Sequence, residues 1–189
     1  MPEDSTAGDE DLMERFRDGE AGAFDVLYGR HKGGLFRYIL RQCGNRGLAE
    51  ELFQDVWMNL IRARAAYTVQ AKFTTYLYCL AHNRLIDFYR SQSGGMPASF
   101  DAEDGPALDN IGAGRSGDPA LSADVRQQAA RLLQLIGELP EAQREAFLLQ
   151  QESDMSIEEI AQATGVSRET AKSRLRYAIA KLRLGMGSD

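Results

Sequence analysis

Residues 93–118, SGGMPASFDAEDGPALDNIGAGRSGD, divide this 189-residue chain and limit what it can become. The stretch is rich in Gly and acids and poor in apolar side chains, so it cannot bury enough surface to offset the entropy of ordering it. It reads as a flexible linker over residues 93–120, extended by repulsion among its own carboxylates. Gly112, Gly114 and Gly117 match a GxGxxG pattern, but no strand precedes them and no helix with a ribose-binding acid follows, so the linker reading stands. Folding is thus expected on either side, within residues 1–92 and 121–189.

On both sides the apolar residues recur at helical spacing, and strand-like alternation is absent. Phe24, Leu27, Tyr28, Leu35, Tyr38 and Ile39 form one stripe. Leu48, Leu52, Phe53, Val56, Trp57, Leu60 and Ile61 form a second, and Phe73, Tyr76, Leu77, Leu80, Ala81, Leu85 and Phe88 a third. With a short acidic helix over residues 9–18, they predict a bundle of three or four helices. Gly33 and Gly34 interrupt the first stripe, and a kink or break is expected there. Periodicity returns from Leu121 to Leu184 with breaks at Leu139-Pro140, near Ser153-Asp154 and at Gly165, giving about four short helices. The expected fold class is all-α, two small helical domains joined by the linker.

Function is bounded next. No run approaches the roughly 20 apolar residues of a membrane span, and the acidic start MPEDSTAGDEDL is unlike a signal peptide. A cytoplasmic protein with no membrane partner is expected. Cys43 and Cys79 lack a Cys or His at metal-ligand spacing and read as buried reduced thiols, so no metal and no cofactor is expected. Two isolated His residues and no P-loop argue against an enzyme. The net charge of -6 hides a pattern: residues 21–92 carry +5 and residues 155–189 carry +2, whereas residues 1–20, 93–124 and 125–154 carry -6, -5 and -2. Two basic blocks stand apart among acidic ones.

The second basic block contains SIEEIAQATGVSRETAKSRLRYA, residues 156–178. Ser156 and Glu159 form a capping box that starts a helix whose inner face is Ile157, Ile160 and Ala161. Gly165 lets the chain turn, Val166 plugs the corner and Ser167 caps the next helix. Ala171, Leu175 and Ile179 then point inward at i, i+4 and i+8, leaving Arg168, Glu169, Lys172, Ser173 and Arg176 outward. That is the spacing of a helix-turn-helix. Between Arg168 and Arg183 stand six bases and one acid, so the outer face is locally positive in an acidic protein. Arg and Lys suit guanine edges or phosphates, Ser suits phosphates, and Glu suits a cytosine amino group.

LPEAQREAFLLQ (139–150) followed by MSIEEIAQATGVSRETAKSRLRYAIAKLR resembles the C-terminal, promoter-binding domain of the extracytoplasmic-function sigma factors of bacterial RNA polymerase. AFDVLYGRHKGGLFRYILRQCGNRGLAEELFQDVW (23–57) with FTTYLYCLAHNRLIDFYRSQ (73–92) resembles the N-terminal domain of the same group. The resemblance implies a region 2 domain at 1–92, a linker at 93–120 and a region 4 domain at 121–189. It implies an alternative sigma factor that binds core polymerase, directs promoter-specific initiation and leaves the chemistry to polymerase.

The resemblance also assigns residues. Glu50, Glu51, Gln54 and Asp55 form an acidic strip suited to a basic partner, which would be the clamp helices of the largest polymerase subunit; the flap of the second largest is the implied partner of region 4. Leu48 stands where relatives often have an acid. Thr68, Lys72, Tyr76, Asn83, Arg84 and Arg90, with Gln70 and Thr74, would take the minus-ten element. Capturing a flipped base needs an aromatic or apolar pocket, polar donors, and bases for the backbone. Tyr76 stands where many relatives have Trp, Ala171 where they have Val or Ile, and His82 where they have Arg; His82 reads as a surface residue. Promoter DNA is the implied nucleic-acid partner, and an anti-sigma factor is left open. A stand-alone helix-turn-helix regulator is the alternative, and a sigma mimic that sequesters an anti-sigma factor is a third. The sequence names no target promoter and no signal, and gives the acidic N-terminus no role.

Overall fold

The apolar stripes become helices. The computed structural model describes residues 6–93 and 123–187, and there the regular structure is eight α-helices and one short 3-10 turn. The first module holds α1 (Asp9–Arg17), α2 (Ala21–Cys43), α3 (Arg46–Ala63) and α4 (Phe73–Gln92). The second holds α5 (Ala123–Gly137), α6 (Glu141–Ser153), α7 (Ile157–Thr164) and α8 (Arg168–Met186). The linker expectation falls, apart from Ser93, outside the described residues. No helix among those described is long and apolar enough to cross a membrane.

The first module is built on the three expected stripes. Leu27, Leu35, Leu52, Val56, Leu60, Leu77 and Ala81 are fully buried, and Trp57 meets Phe24 edge-on with ring centroids 5.7 Å apart. Asn45 starts α3 by accepting the Leu48 N–H at 2.9 Å, as a preferred cap residue should. Gly44 ends α2 in the left-handed region at φ 66, where a side chain would be strained.

Helix α1 gives the acidic N-terminus a structural role. Asp9, Glu10 and Asp11 occupy its first turn and Arg15 and Arg17 its last, which complements the helix dipole. Asp9 pairs with Arg30 and His31 of α2, both at 2.7 Å. Glu10 Oε1 accepts the Phe73 N–H at 2.7 Å, and so caps α4, because Lys72 offers no side-chain cap of its own. Replacing Glu10 by Ala is expected to cost about 1 kcal/mol, read as a lower urea midpoint with unchanged slope. The hydrogen bond from His31 holds the Asp9 carboxyl below its ordinary range, against the opposing effect of burial. This link is therefore at full strength above about pH 4 and is lost as pH falls through the depressed value.

Helix α2 runs on through Gly33 and Gly34, so the break allowed there does not form. A Cβ on Gly34 would lie 3.0 Å from both the Glu152 carbonyl oxygen and the Tyr78 hydroxyl. The glycine marks a close approach of the second module, since Glu152 belongs to α6. The two modules pack together, α6 against α2 and α7 against α4.

The centre of that interface is polar. Glu145, 1% exposed, accepts from the Tyr38 hydroxyl at 2.6 Å and lies 2.6 Å from His82 Nδ1. His82 is thus buried and paired, which corrects the reading of it as a surface residue; a carboxylate from a helix far along the chain covers it. The two cysteines are free and half-buried rather than buried.

Candidate nucleic-acid interface

The helix-turn-helix forms as its spacing predicts. The Ser156 hydroxyl accepts the Glu159 N–H at 3.2 Å and Glu159 accepts the Ser156 N–H at 2.8 Å, completing the capping box. Gly165 turns the chain at φ 68, and the Ser167 hydroxyl accepts the Thr170 N–H at 3.1 Å to start α8. Ile160, Ala161, Ala171 and Leu175 are buried, while Ile157, Val166 and Ile179 are half-buried against the core.

The outer face of α8 is therefore fixed by what its inner face must bury. Arg168, Glu169, Lys172 and Arg176 are exposed and Ser173 is half-exposed beside them. Arg168 pairs with Glu158 of α7 and, at 3.4 Å, with Glu169. The Arg176 guanidinium lies 5.1 Å over the Tyr177 ring, which holds it at the surface. Lys172 has no ion-pair partner among the described residues. The face presents cations that phosphate or a base edge can take up without breaking the fold.

On the first module, residues 63–79 line a cleft of about 430 Å³ between the end of α3 and the start of α4. Tyr67, Thr68, Gln70, Thr75, Tyr76 and Cys79 contribute to it, and Gln162 of α7 reaches it from the second module. The Tyr67 and Tyr76 rings lie 5.2 Å apart. The buried hydroxyls of Tyr67 and Thr75 have no protein partner. Burial, reinforced by the carboxylates of Glu10 and Glu14, pushes the Tyr67 hydroxyl up to about 12, so it stays a hydrogen-bond donor at neutral pH. The aromatic walls suit a planar ligand that stacks on them.

The minus-ten candidates do not all share that cleft. Thr68 and Tyr76 line it and Lys72 stands at the start of α4, where it pairs with Glu159 at 2.8 Å. Asn83, Arg84 and Arg90 lie further along α4, Asn83 and Arg90 exposed. Arg84 binds Asp55 of α3 at 2.7 Å. Residues assigned from sequence to two different partners are thus each other's partner here. Glu50, Glu51 and Gln54 remain exposed on α3, with Glu50 3.2 Å from Arg46.

Sequence reasoning missed Tyr67, Thr75, Cys79 and Gln162. The phrase AAYTVQ offered an aromatic beside hydroxyl and amide groups as a signal for Tyr67. Nothing in the sequence signals Gln162, which reaches the cleft only through the packing of α7 on α4.

The chain matches the family models for Sigma-70 region 2 over residues 27–94 and Sigma-70, region 4 over residues 129–182. It is 31% identical over 185 residues to the RNA polymerase sigma factor CarQ of Myxococcus xanthus, covering 93% of this chain and 95% of that one. It is 30% identical to the ECF RNA polymerase sigma factor RpoE of Cereibacter sphaeroides, covering 93% of each. Two solved structures share the fold. CnrH in complex with the cytosolic domain of CnrY gives a TM-score of 0.68 at 21% identity, over 97% of this chain and 99% of that one. The sigma factor RpoE in complex with the anti-sigma factor NepR, from Bartonella quintana, gives 0.69 at 19%, over 88% and 98%.

Proposed function

This chain belongs to the extracytoplasmic-function sigma factors of bacterial RNA polymerase, and on that premise we propose which of its residues meet which partner. As an alternative sigma factor it binds core polymerase and directs promoter-specific initiation of transcription. Residues 1–92 act as the region 2 domain and residues 121–189 as the region 4 domain, with residues 93–120 as the tether. Arg168, Glu169, Lys172, Ser173 and Arg176 take the upstream promoter element. Thr68, Lys72, Tyr76, Asn83, Arg84 and Arg90 take the minus-ten element, with Tyr67, Gln70 and Thr75 lining the cleft for an unstacked base. The observation that carries this reading is the α8 face, where Lys172 and Arg176 stand exposed because Ala171 and Leu175 are buried behind them.

The protein has no catalytic step of its own, and it works in the cytoplasm beside polymerase. The test is transcription in vitro. Purified chain plus core polymerase should initiate at promoters from its own regulon. Failure at all of them, with sequence-specific binding of a dimer to duplex DNA without polymerase, would return the stand-alone regulator.

Glu50, Glu51 and Gln54 form the surface for the polymerase clamp helices. Of these, Glu51 gives the cleaner test, because Asp55→Lys would also set a cation against Arg84. Glu51→Lys is expected to weaken core binding about tenfold or more, with unchanged circular dichroism; unchanged affinity would remove this face from the contact. Two proteins of this fold were captured with CnrY and NepR, and a similar anti-sigma factor is a candidate partner here.

A further inference from the structure

We propose that Glu10 and Arg17 of α1 are positioning residues for the minus-ten strand: between them they fix both ends of the loop, residues 67–72, that carries Thr68, Gln70 and Lys72 beside the cleft. The effect on DNA rests on the cleft assignment made above, and the experiment below separates the two.

The loop joins the 3-10 turn Arg64–Ala66 to α4 and does little to order itself. Within it the Gln70 amide meets the Thr68 hydroxyl at a long 3.4 Å, a weak restraint. Thr68 and Gln70 are exposed, so packing does not fix their backbone either.

Its two ends are held from α1. Arg17 Nη1 donates to the Tyr67 carbonyl at 3.3 Å where the loop begins, and Glu10 Oε1 accepts the Phe73 N–H at 2.7 Å where it ends. Glu10 and Arg17 stand seven residues apart, two turns along one face of a helix and about 10 Å along its axis. One rigid element therefore sets the spacing of both ends. Contacts on either flank agree with this. Arg64 of the turn lies over the Phe16 ring at 5.6 Å, and His31, paired with Asp9, meets the Phe73 ring with centroids 5.3 Å apart.

Helix α1 can set that spacing because it is itself anchored. Nine residues are too few for a stable isolated helix, but Leu12 and Met13 are fully buried. Asp9 reaches Arg30 and His31 of α2, and Arg30 Nη1 donates to the Ala7 carbonyl at 2.8 Å. A loop that samples many shapes must be ordered when a strand binds, and that entropy is subtracted from affinity. Held at both ends, this loop meets the strand with less left to order. In this role Glu10 and Arg17 act through the backbone of Tyr67 and Phe73 and need no contact with DNA.

Two readings test the role: affinity of the reconstituted holoenzyme for a fluorescent single strand spanning the minus-ten element of its own promoter, and affinity of the chain for core polymerase. Glu10→Ala with Arg17→Ala should weaken strand binding about tenfold and leave core binding unchanged. Glu10→Gln with Arg17→Lys still offers Phe73 an acceptor and Tyr67 a donor, and should restore strand binding to the wild-type level. Thr68→Ala with Gln70→Ala is the control for the cleft and should weaken the strand by itself. If that control weakens binding while a folded double-alanine α1 variant does not, the positioning role is overturned and the cleft stands. If the control binds normally, the cleft assignment falls and the role falls with it. A conservative pair as weak as the alanine pair, or an equal loss of core binding, would also overturn the role, because charge or general stability would then be the cause. Should circular dichroism show the double-alanine variant unfolded, Arg17→Ala decides by the same readings. The other contacts it gives up are surface ion pairs with Glu14 and Asp18, which contribute little.

Discussion

Changing Lys172 and Arg176 together to Glu is expected to abolish promoter-specific transcription by the holoenzyme while leaving core binding intact. Both side chains stand on the exposed face of α8, and neither holds the module together. Among the described residues the contact at the Arg176 guanidinium is the ring of Tyr177, worth about 0.5–1 kcal/mol at an exposed site. Each lost contact to a phosphate or a base edge removes about 1–3 kcal/mol, so the pair removes about 2–6 kcal/mol before like-charge repulsion is added. That is more than tenfold in promoter affinity. Gel-shift and run-off assays over a range of salt should show weaker binding and a shallower salt slope, because fewer counterions are released. A holoenzyme that still bound its promoter normally would show that this face does not read DNA.

The second large effect lies behind that face. Leu175 is 5% exposed and anchors α8 to the rest of the second module. Truncation to Ala leaves a cavity and should cost about 2–5 kcal/mol, a large share of the stability of a small module. Denaturant unfolding followed by circular dichroism should show the loss, and transcription should fail on modest warming before core binding does. The two variants are complementary: one keeps the fold and loses the contact, and the other keeps the contact residues and loosens the scaffold that aims them.

Much of this was legible in the sequence because it is local. The capping box at Ser156 and Glu159, the turn at Gly165 and the inward set Ala171 and Leu175 depend on spacing within a few residues, and each forms as read. The stripes that build α2, α3 and α4 are local for the same reason. What spacing could not show is the meeting of distant segments. His82 is buried because Glu145 reaches it, and Gly34 is tolerated within α2 because Glu152 passes beside it. Asp55 and Arg84, sorted to different partners, pair across α3 and α4. Glu10 caps a helix that begins at Phe73. Each of these is a long-range contact between polar groups, and no periodicity encodes which carboxylate will find which donor.

The two proposed DNA-reading surfaces belong to different modules of one chain, and site-specific crosslinking reads both at once. A benzophenone amino acid at Tyr177, 51% exposed and next to Arg176, and another at Val69, 48% exposed and next to Thr68, would sit at the two surfaces without replacing a contact residue. In the holoenzyme bound to its promoter, the first should crosslink at the minus-thirty-five element and the second at the minus-ten element. Crosslinks from both positions to the same element, or from neither to promoter DNA, would contradict this assignment.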